Sequence, residues 1–180
     1  ASVLQILDSE SAATTLSLLD KVTSAGVIEK LDFPTLSGLL EEMPADDATD
    51  IIAVLPPDHA EQVLDLMDPE DSAAVKKLLS YGKETAGGVM TSEFLALPGN
   101  TTVEEAIQRL RRDENREDYH NVYVVDDQGR LVGYLPIRHL MFHPRDTRLS
   151  TIQSAHILRV RVEDDREQVA QILSKYNLLA

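Results

Sequence analysis

Three consecutive segments, MPADDATDIIAVL, LPPDHAEQVLDLM and MDPEDSAAVKKLL, superimpose at a step of 12 residues. Asp46, Asp58 and Glu70 share one column and Ala48, Ala60 and Ser72 a second. Ile51, Val63 and Val75 form a third, and Leu55, Met67 and Leu79 a fourth. Each segment opens with proline near the first helical position, where the missing N–H costs nothing, and with an acid that suits the positive end of the helix dipole. A 12-residue unit holds one helix of about two to three turns and a tight corner. Helices so short bury their apolar faces only by stacking on neighbours, as solenoid repeats do. LDFPTLSGLLEEM reads as an earlier, less regular copy. Residues 1–85 are therefore expected to form a superhelical array of the armadillo or HEAT kind.

The charge is as uneven as the pattern. The chain of 180 residues has a formal net charge of −14. Residues 1–85 carry 17 acids and 5 bases, residues 86–180 carry 14 and 12. So acidic a first half argues against nucleic-acid phosphate as a partner and is compatible with cations, with basic surfaces, or with solubility alone. Cysteine is absent, which excludes disulfides, Cys-ligated zinc and a thiol nucleophile. No stretch approaches the roughly 18–20 apolar residues of a membrane helix, and the N-terminal residues lack the basic region of a signal peptide. The chain by itself is expected to be soluble.

After residue 85 the period changes. EFLAL reads as a short strand, and TTVEEAIQRLRRD as a helix opened by a capping box from Thr102 to Glu105. HNVYVVDDQGRLVGYLP reads as a hairpin, with strands Val122–Val125 and Leu131–Leu135 about the turn Asp126-Asp127-Gln128-Gly129. IRHLMF reads as a short helix. The order β-α-β-β-α then restarts, with a strand expected over Ile157–Val162 and a helix over EDDREQVAQILSKYN, capped by Asp164 and Glu167. NLLA stands where the next hairpin is expected to begin, so the second unit is expected to be incomplete, with sheet edges left for another segment or copy to pair.

The second half resembles a CBS domain, and SYGKETAGGVMTSEFLALPGNTTVEEAIQRLR resembles the junction between the helical N domain and the first CBS domain of MgtE-type magnesium channels. The element Ala86-Gly87-Gly88-Val89-Met90-Thr91 matches the family's lead into the first CBS strand. Its glycines are expected to permit positive φ or a close backbone approach. The resemblance implies an α+β chain in three parts: a helical N domain over 1–85, a first CBS domain (β-α-β-β-α) over 86–145, and the truncated start of a second CBS domain over 146–180. It implies a Mg²⁺-sensing region on the cytoplasmic face of the inner membrane, gating a transmembrane domain that this chain lacks. A homodimer through the CBS domains is expected from the same resemblance.

DDATD carries the candidate site. With Ala48 at 0° on a helical wheel, Ile51, Ile52 and Leu55 centre the core face near 0°, while Asp46 and Asp50 fall at about 160° and 200°. The pair lies one turn apart, opposite the core, with Asp47 off to the side. Like charges at that spacing cost an isolated helix a few tenths of a kcal/mol, roughly 0.2–0.5. A solvated face and a cation site both fit the pattern. The resemblance favours the second, because the family's paired aspartates on an Asp-Asp-x-x-Asp helix take part in magnesium binding. Asp46 and Asp50 are accordingly the expected metal ligands, with partner acids from outside this chain. Mg²⁺ would then hold the N domain against the CBS region and keep the pore shut, and its loss would let the carboxylates repel.

CBS domains often bind adenine nucleotides through a hydroxyl and an aspartate near the last helix. The corresponding positions here are Pro136 and His139. Neither accepts a ribose diol in the same way, which puts nucleotide binding by this unit in doubt. His59, His120, His139, His143 and His156 stand at no metal-ligand spacing, and no GxSxG, HExxH or phosphate-binding glycine loop occurs. The chain is not expected to be an enzyme. The alternative from a different class is a nucleotide-responsive CBS module or a helical-repeat scaffold for protein interaction.

Overall fold

A computed structural model describes residues 6–113 and 119–176. The expected ends of the pattern, NLLA and the mixed-charge stretch ENRED, lie outside the described residues. The chain divides into two compact units. The first comprises residues 1–92 with 161–166, and the second residues 93–160 with 167–180.

Six helices build the first unit: α1 (Ser9–Ser17), α2 (Lys21–Ile28), α3 (Phe33–Glu41), α4 (Ala45–Ile52), α5 (Pro57–Leu66) and α6 (Pro69–Leu79). Their N-caps fall at Asp8, Asp20, Asp32, Pro44, Pro56 and Asp68. The 12-residue period thus begins at residue 8, two copies before the prolines make it visible. Aspartate caps take helix-start N–H groups, as where Asp8 accepts from Ser11 N at 2.9 Å and Asp32 from Thr35 N at 2.8 Å. These bonds hold the Asp8 carboxyl, chiefly through the Ser11 N–H, and the Asp32 carboxyl, chiefly through the Thr35 hydroxyl, below their ordinary pKa.

Two positions per repeat recur through the core, beside a third column that includes Leu39, Ile51, Val63 and Val75. Four residues past each cap stand Ala12, Ser24, Leu36, Ala48, Ala60 and Ser72, of which all but the partly covered Ala60 are buried. Eight past each cap stand Leu16, Ile28, Leu40, Ile52 and Leu64, all buried. An i, i+4 pair on one helix face is what such short helices can offer a neighbour. The helices stack in alternation, α1 on α3, α3 on α5 and α4 on α6. At the last repeat Ser72 replaces alanine, and its hydroxyl donates to Leu64 O at 2.7 Å, near the C-terminal end of α5. That bond satisfies a carbonyl the helix cannot pair itself.

The Gly87-Gly88 pair serves close approach. A Cβ on Gly88 would lie 2.3 Å from Gly82 O, and the only positive-φ glycine among the described residues is Gly129, at 73° in the hairpin turn.

In the second unit β1 (Leu95–Pro98), β2 (Asn121–Val125) and β3 (Leu131–Pro136) form a sheet of order β1-β2-β3. β1 and β2 are parallel, β2 and β3 antiparallel. A parallel pair needs a crossover, which α7 (Val103–Arg112) supplies. Its capping box forms as expected: Glu105 N donates to Thr102 Oγ1 at 3.3 Å and Thr102 N to Glu105 Oε2 at 2.7 Å. The next orphan donors go to the backbone, Val103 N to Thr147 O and Glu104 N to Arg145 O, each at 2.9 Å. Residues 137–142 make a 3-10 turn, and a short α8 (Leu149–Ile152) follows. The core is Leu95, Leu97, Val103, Ala106, Val122, Val124, Leu135, Leu140 and Leu149.

The strand expected over Ile157–Val162 is corrected. No strand forms there; Ser154 makes one isolated bridge to Tyr134, and Leu158 and Val160 stay 47% and 41% exposed. A strand exists only as half of a pair, and no described strand runs beside this segment. The helix beyond it, α9 (Arg166–Tyr176), has no buried residue. It begins after the expected cap Asp164, whose Oδ2 accepts from Arg161 N at 2.8 Å.

Replacing Ser72 by alanine leaves Leu64 O unpaired in a buried place. The expected cost is about 1–3 kcal/mol of unfolding free energy, to be read from urea denaturation, whereas Ser80→Ala, at an exposed helix end, should change little.

Candidate functional site

Helix α4 opens, like α5, without the aspartate cap of the other four helices. Pro44 stands at the cap position with no side chain to accept a hydrogen bond, and the first turn of α4 carries two acids, Asp46 and Asp47. Ala48, Ile51 and Ile52 are buried and fix the helix's rotation. The three aspartates then diverge.

Asp50 is exposed. Asp46 is partly covered, and its Oδ1 is sealed from solvent without a hydrogen-bond partner. Its column mates Asp58 and Glu70 are both exposed. The wheel angle that set Asp46 opposite the core describes one helix alone and ignores what flanks it. A sealed carboxylate oxygen with no donor is unfavourable unless a cation or donor reaches it.

Asp47, which the sequence reading set aside, is the acid bound into the unit. It is partly buried, and burial foremost, then the charge of Asp46, pushes its carboxyl above the usual range. The Ser17 hydroxyl opposes that shift, and Asp50 adds to it. The wheel did carry a signal, since Asp47 lay nearer the core face than either neighbour. The charges of Asp46 and Asp50 therefore both act on Asp47 along two turns of helix.

A second acidic collection gathers at the start of α6. Glu41 Oε1 accepts from Asp68 N at 2.6 Å. Asp71 is pushed above the ordinary carboxylate range by burial, then by Asp68, Glu41 and Glu70. Among the described residues no three His, Cys, Asp or Glu side chains converge as a metal cage. Asp46 and Asp50 both carry hard oxygen donors of the kind Mg²⁺ prefers, and Asp46 Oδ1 has no hydrogen-bond partner. On the sheet side, Pro136 closes β3 and His139 is exposed on the 3-10 turn.

Residues 1–84 match the family model described as the MgtE intracellular N domain, and residues 86–146 the CBS domain. A solved structure described as the cytosolic domain of the Mg²⁺ channel MgtE in complex with ATP superposes with a TM-score of 0.89 at 34% identity, covering 98% of this chain and 73% of that one. The chain belongs to the MgtE family. The soluble part of a magnesium transporter matches likewise, with a TM-score of 0.90 at 30% identity, over 98% of this chain and 70% of that one. The magnesium transporter MgtE of Enterococcus faecalis is 39% identical over 107 residues, 59% of this chain but 24% of the relative. The chain thus corresponds to the extramembrane part of an MgtE protein, and no helix among its described residues is long and apolar enough to cross a membrane.

The raised Asp47 carboxyl has a definite sign. A folded pKa above the unfolded one means that the native state holds the extra proton, so stability falls as pH rises through the window between the two values. Asp47→Asn should therefore melt at a higher temperature than the parent at neutral pH. The difference should close below about pH 4, where both states are protonated; scanning calorimetry across that range measures it.

Proposed function

We propose that the chain is the Mg²⁺-sensing regulatory region of an MgtE-type transporter, with Asp46 and Asp50 as its contribution to a shared cation site. The observation that carries this reading is the sealed, unpartnered Oδ1 of Asp46 beside the exposed Asp50 on an uncapped acidic helix. The names of the relatives supply the ion. At high Mg²⁺ the cation, with several of its waters, joins these carboxylates to acids of the remaining regulatory segments and favours a compact arrangement. At low Mg²⁺ the uncompensated charge favours separation. A ligand moves such an equilibrium only by its differential affinity for the two states, so the role is regulatory and needs no catalysis.

The transmembrane domain that the whole protein would gate is the principal partner, with this region on the cytoplasmic side. Residues 146–180 are read as the opening of a second CBS domain. A homodimer through the CBS domains is supported by an open, mostly apolar groove of about 540 Å³ between α7 and the 3-10 turn, lined by Ile107, Leu110, Ile137 and Met141 among others and edged by Arg111, His143 and Arg145. Met141 and Phe142 are 75% and 76% exposed beside it. Met141→Glu with Phe142→Glu should turn a sedimenting dimer into a monomer; a parent chain already monomeric at high concentration would contradict this arrangement.

A second reading has one observation behind it, the ATP complex of the related cytosolic domain. Nucleotide would then bind the completed CBS pair, with donors other than Pro136 and His139.

The deciding experiment is a Mg²⁺ titration followed by small-angle scattering, on a chain carried through the second CBS domain and the helix that couples to the membrane. Compaction that saturates, exceeds that of a Na⁺ control at matched ionic strength, and weakens at least about tenfold in affinity with Asp46→Asn/Asp50→Asn is the expected result, a loss of about 1.4 kcal/mol. A radius indifferent to Mg²⁺ but responsive to ATP would favour the second reading.

A further inference from the structure

The chain has neither cysteine nor tryptophan, so the thioether sulfur of methionine is its most readily oxidised group. Of its four methionines, Met43 and Met67 are sealed in the helical core at 8% and 5% exposure, and Met90 is half-buried. Met141 is 75% exposed, on the 3-10 turn Ile137–Phe142. A peroxide must reach the sulfur in line with its lone pair, and Met141 gives it the widest approach.

The place of Met141 in the fold gives its oxidation a consequence. Leu140, the residue before it, is buried in the core of the second unit and pins the turn. Met141 itself lines the mostly apolar groove between that turn and α7, with Ile107, Leu110 and Ile137. As a thioether it is apolar and adaptable, which suits a surface that receives a second copy. As a sulfoxide it carries a strong acceptor oxygen, which would have to give up water to enter the same groove.

We infer that Met141 is a reversible oxidation site, with a hydroperoxide as co-reactant, and that its sulfoxide form blocks association through the groove. The sulfur lone pair attacks one peroxide oxygen, and the O–O bond breaks as the S–O bond forms. Sulfur is oxidised by two electrons; the departing hydroxide takes the proton from the transferred oxygen and leaves as water. A sulfoxide reductase, drawing two electrons from a dithiol, returns the thioether with release of water. The oxidation site stands on exposure alone, whereas the control of association rests on the homodimer proposed above. Association and oxidation then exclude each other: a paired groove covers the sulfur, and the sulfoxide keeps the groove unpaired.

The test treats the 180-residue chain with hydrogen peroxide and follows each methionine by peptide mass spectrometry, at concentrations above and below that at which the chain sediments as a dimer. In dilute chain Met141 should oxidise at least about tenfold faster than Met43 and Met67. Raising the concentration should slow Met141 and leave Met90 unchanged. The oxidised chain should associate at least about tenfold more weakly, and reductase with dithiol should restore the parent's association. Met141→Leu keeps an apolar side chain of similar size, so it should associate like the parent and be indifferent to peroxide. Met141→Gln should associate like the oxidised parent with no peroxide added. Equal oxidation of Met141 and the two buried methionines would overturn the site. A dimer unmoved by peroxide, or a Met141→Leu dimer that peroxide dissociates, would overturn its control of association. A parent monomeric at every concentration would overturn the dimer and that control together, and the order of oxidation rates would still decide the site.

Discussion

Helices of two to three turns have too few hydrogen bonds to persist alone in water, and each offers a neighbour only one narrow apolar strip. Everything in the first unit follows from that limit. The strip must recur in constant phase, so the residues four and eight past each cap are apolar or small through five repeats, and the helices pack on their second neighbours. The corner between helices must be tight, so a residue that fixes the helix start is needed every twelfth position. Aspartate does this at four caps by accepting N–H groups, and proline at two by pre-setting the backbone.

The substitution of proline for aspartate at residue 44 shapes the candidate site. An aspartate there would compete for the first N–H groups of α4 and hold its carboxylate out of reach of ligands. With Pro44 no cap side chain takes the first N–H groups, and packing of α4 against its neighbours divides the acids that follow. Asp47 is drawn in toward Ser17, Asp46 is half covered, and Asp50 faces solvent. Three like charges on two turns are unfavourable together, which is the condition under which a divalent cation changes the energy of an arrangement most.

The repeat and the β-α-β-β order were legible because they are local: proline spacing, a capping box, the Asp-Asp-Gln-Gly turn and a change of period from helical to alternating. The expectation of close approach at Gly87-Gly88 held at Gly88 for the same reason. Two early repeats were missed because the period was sought in prolines, while the signal that runs through all six is an apolar residue followed by the cap, from Leu7-Asp8 to Met67-Asp68. The burial of Asp46 Oδ1 was not legible, since a wheel describes one helix and not its neighbours. Nor was the fate of Ile157–Val162, whose composition suits a strand but whose described surroundings give it no partner. Residues 161–166 pair instead with a loop that precedes them by about 75 positions, through Ala86 N to Asp164 O at 2.7 Å and Gly87 N to Val162 O at 2.9 Å. At that separation pattern-based reading has no purchase.

That separation bears on how the protein is made. The helical unit is contiguous in its core but discontinuous in its edge, because its last strand-like segment is encoded after the whole sheet. At synthesis rates of about 5–20 residues per second, Ala86 and Gly87 are added to the chain roughly 4–15 s before Val162 and Asp164. The solenoid can form early from its neighbour-to-neighbour contacts, but its closing loop waits with unpaired N–H groups until the distal segment arrives. Completion of the amino-terminal unit is therefore a late event in biogenesis, timed by translation of the carboxy-terminal part.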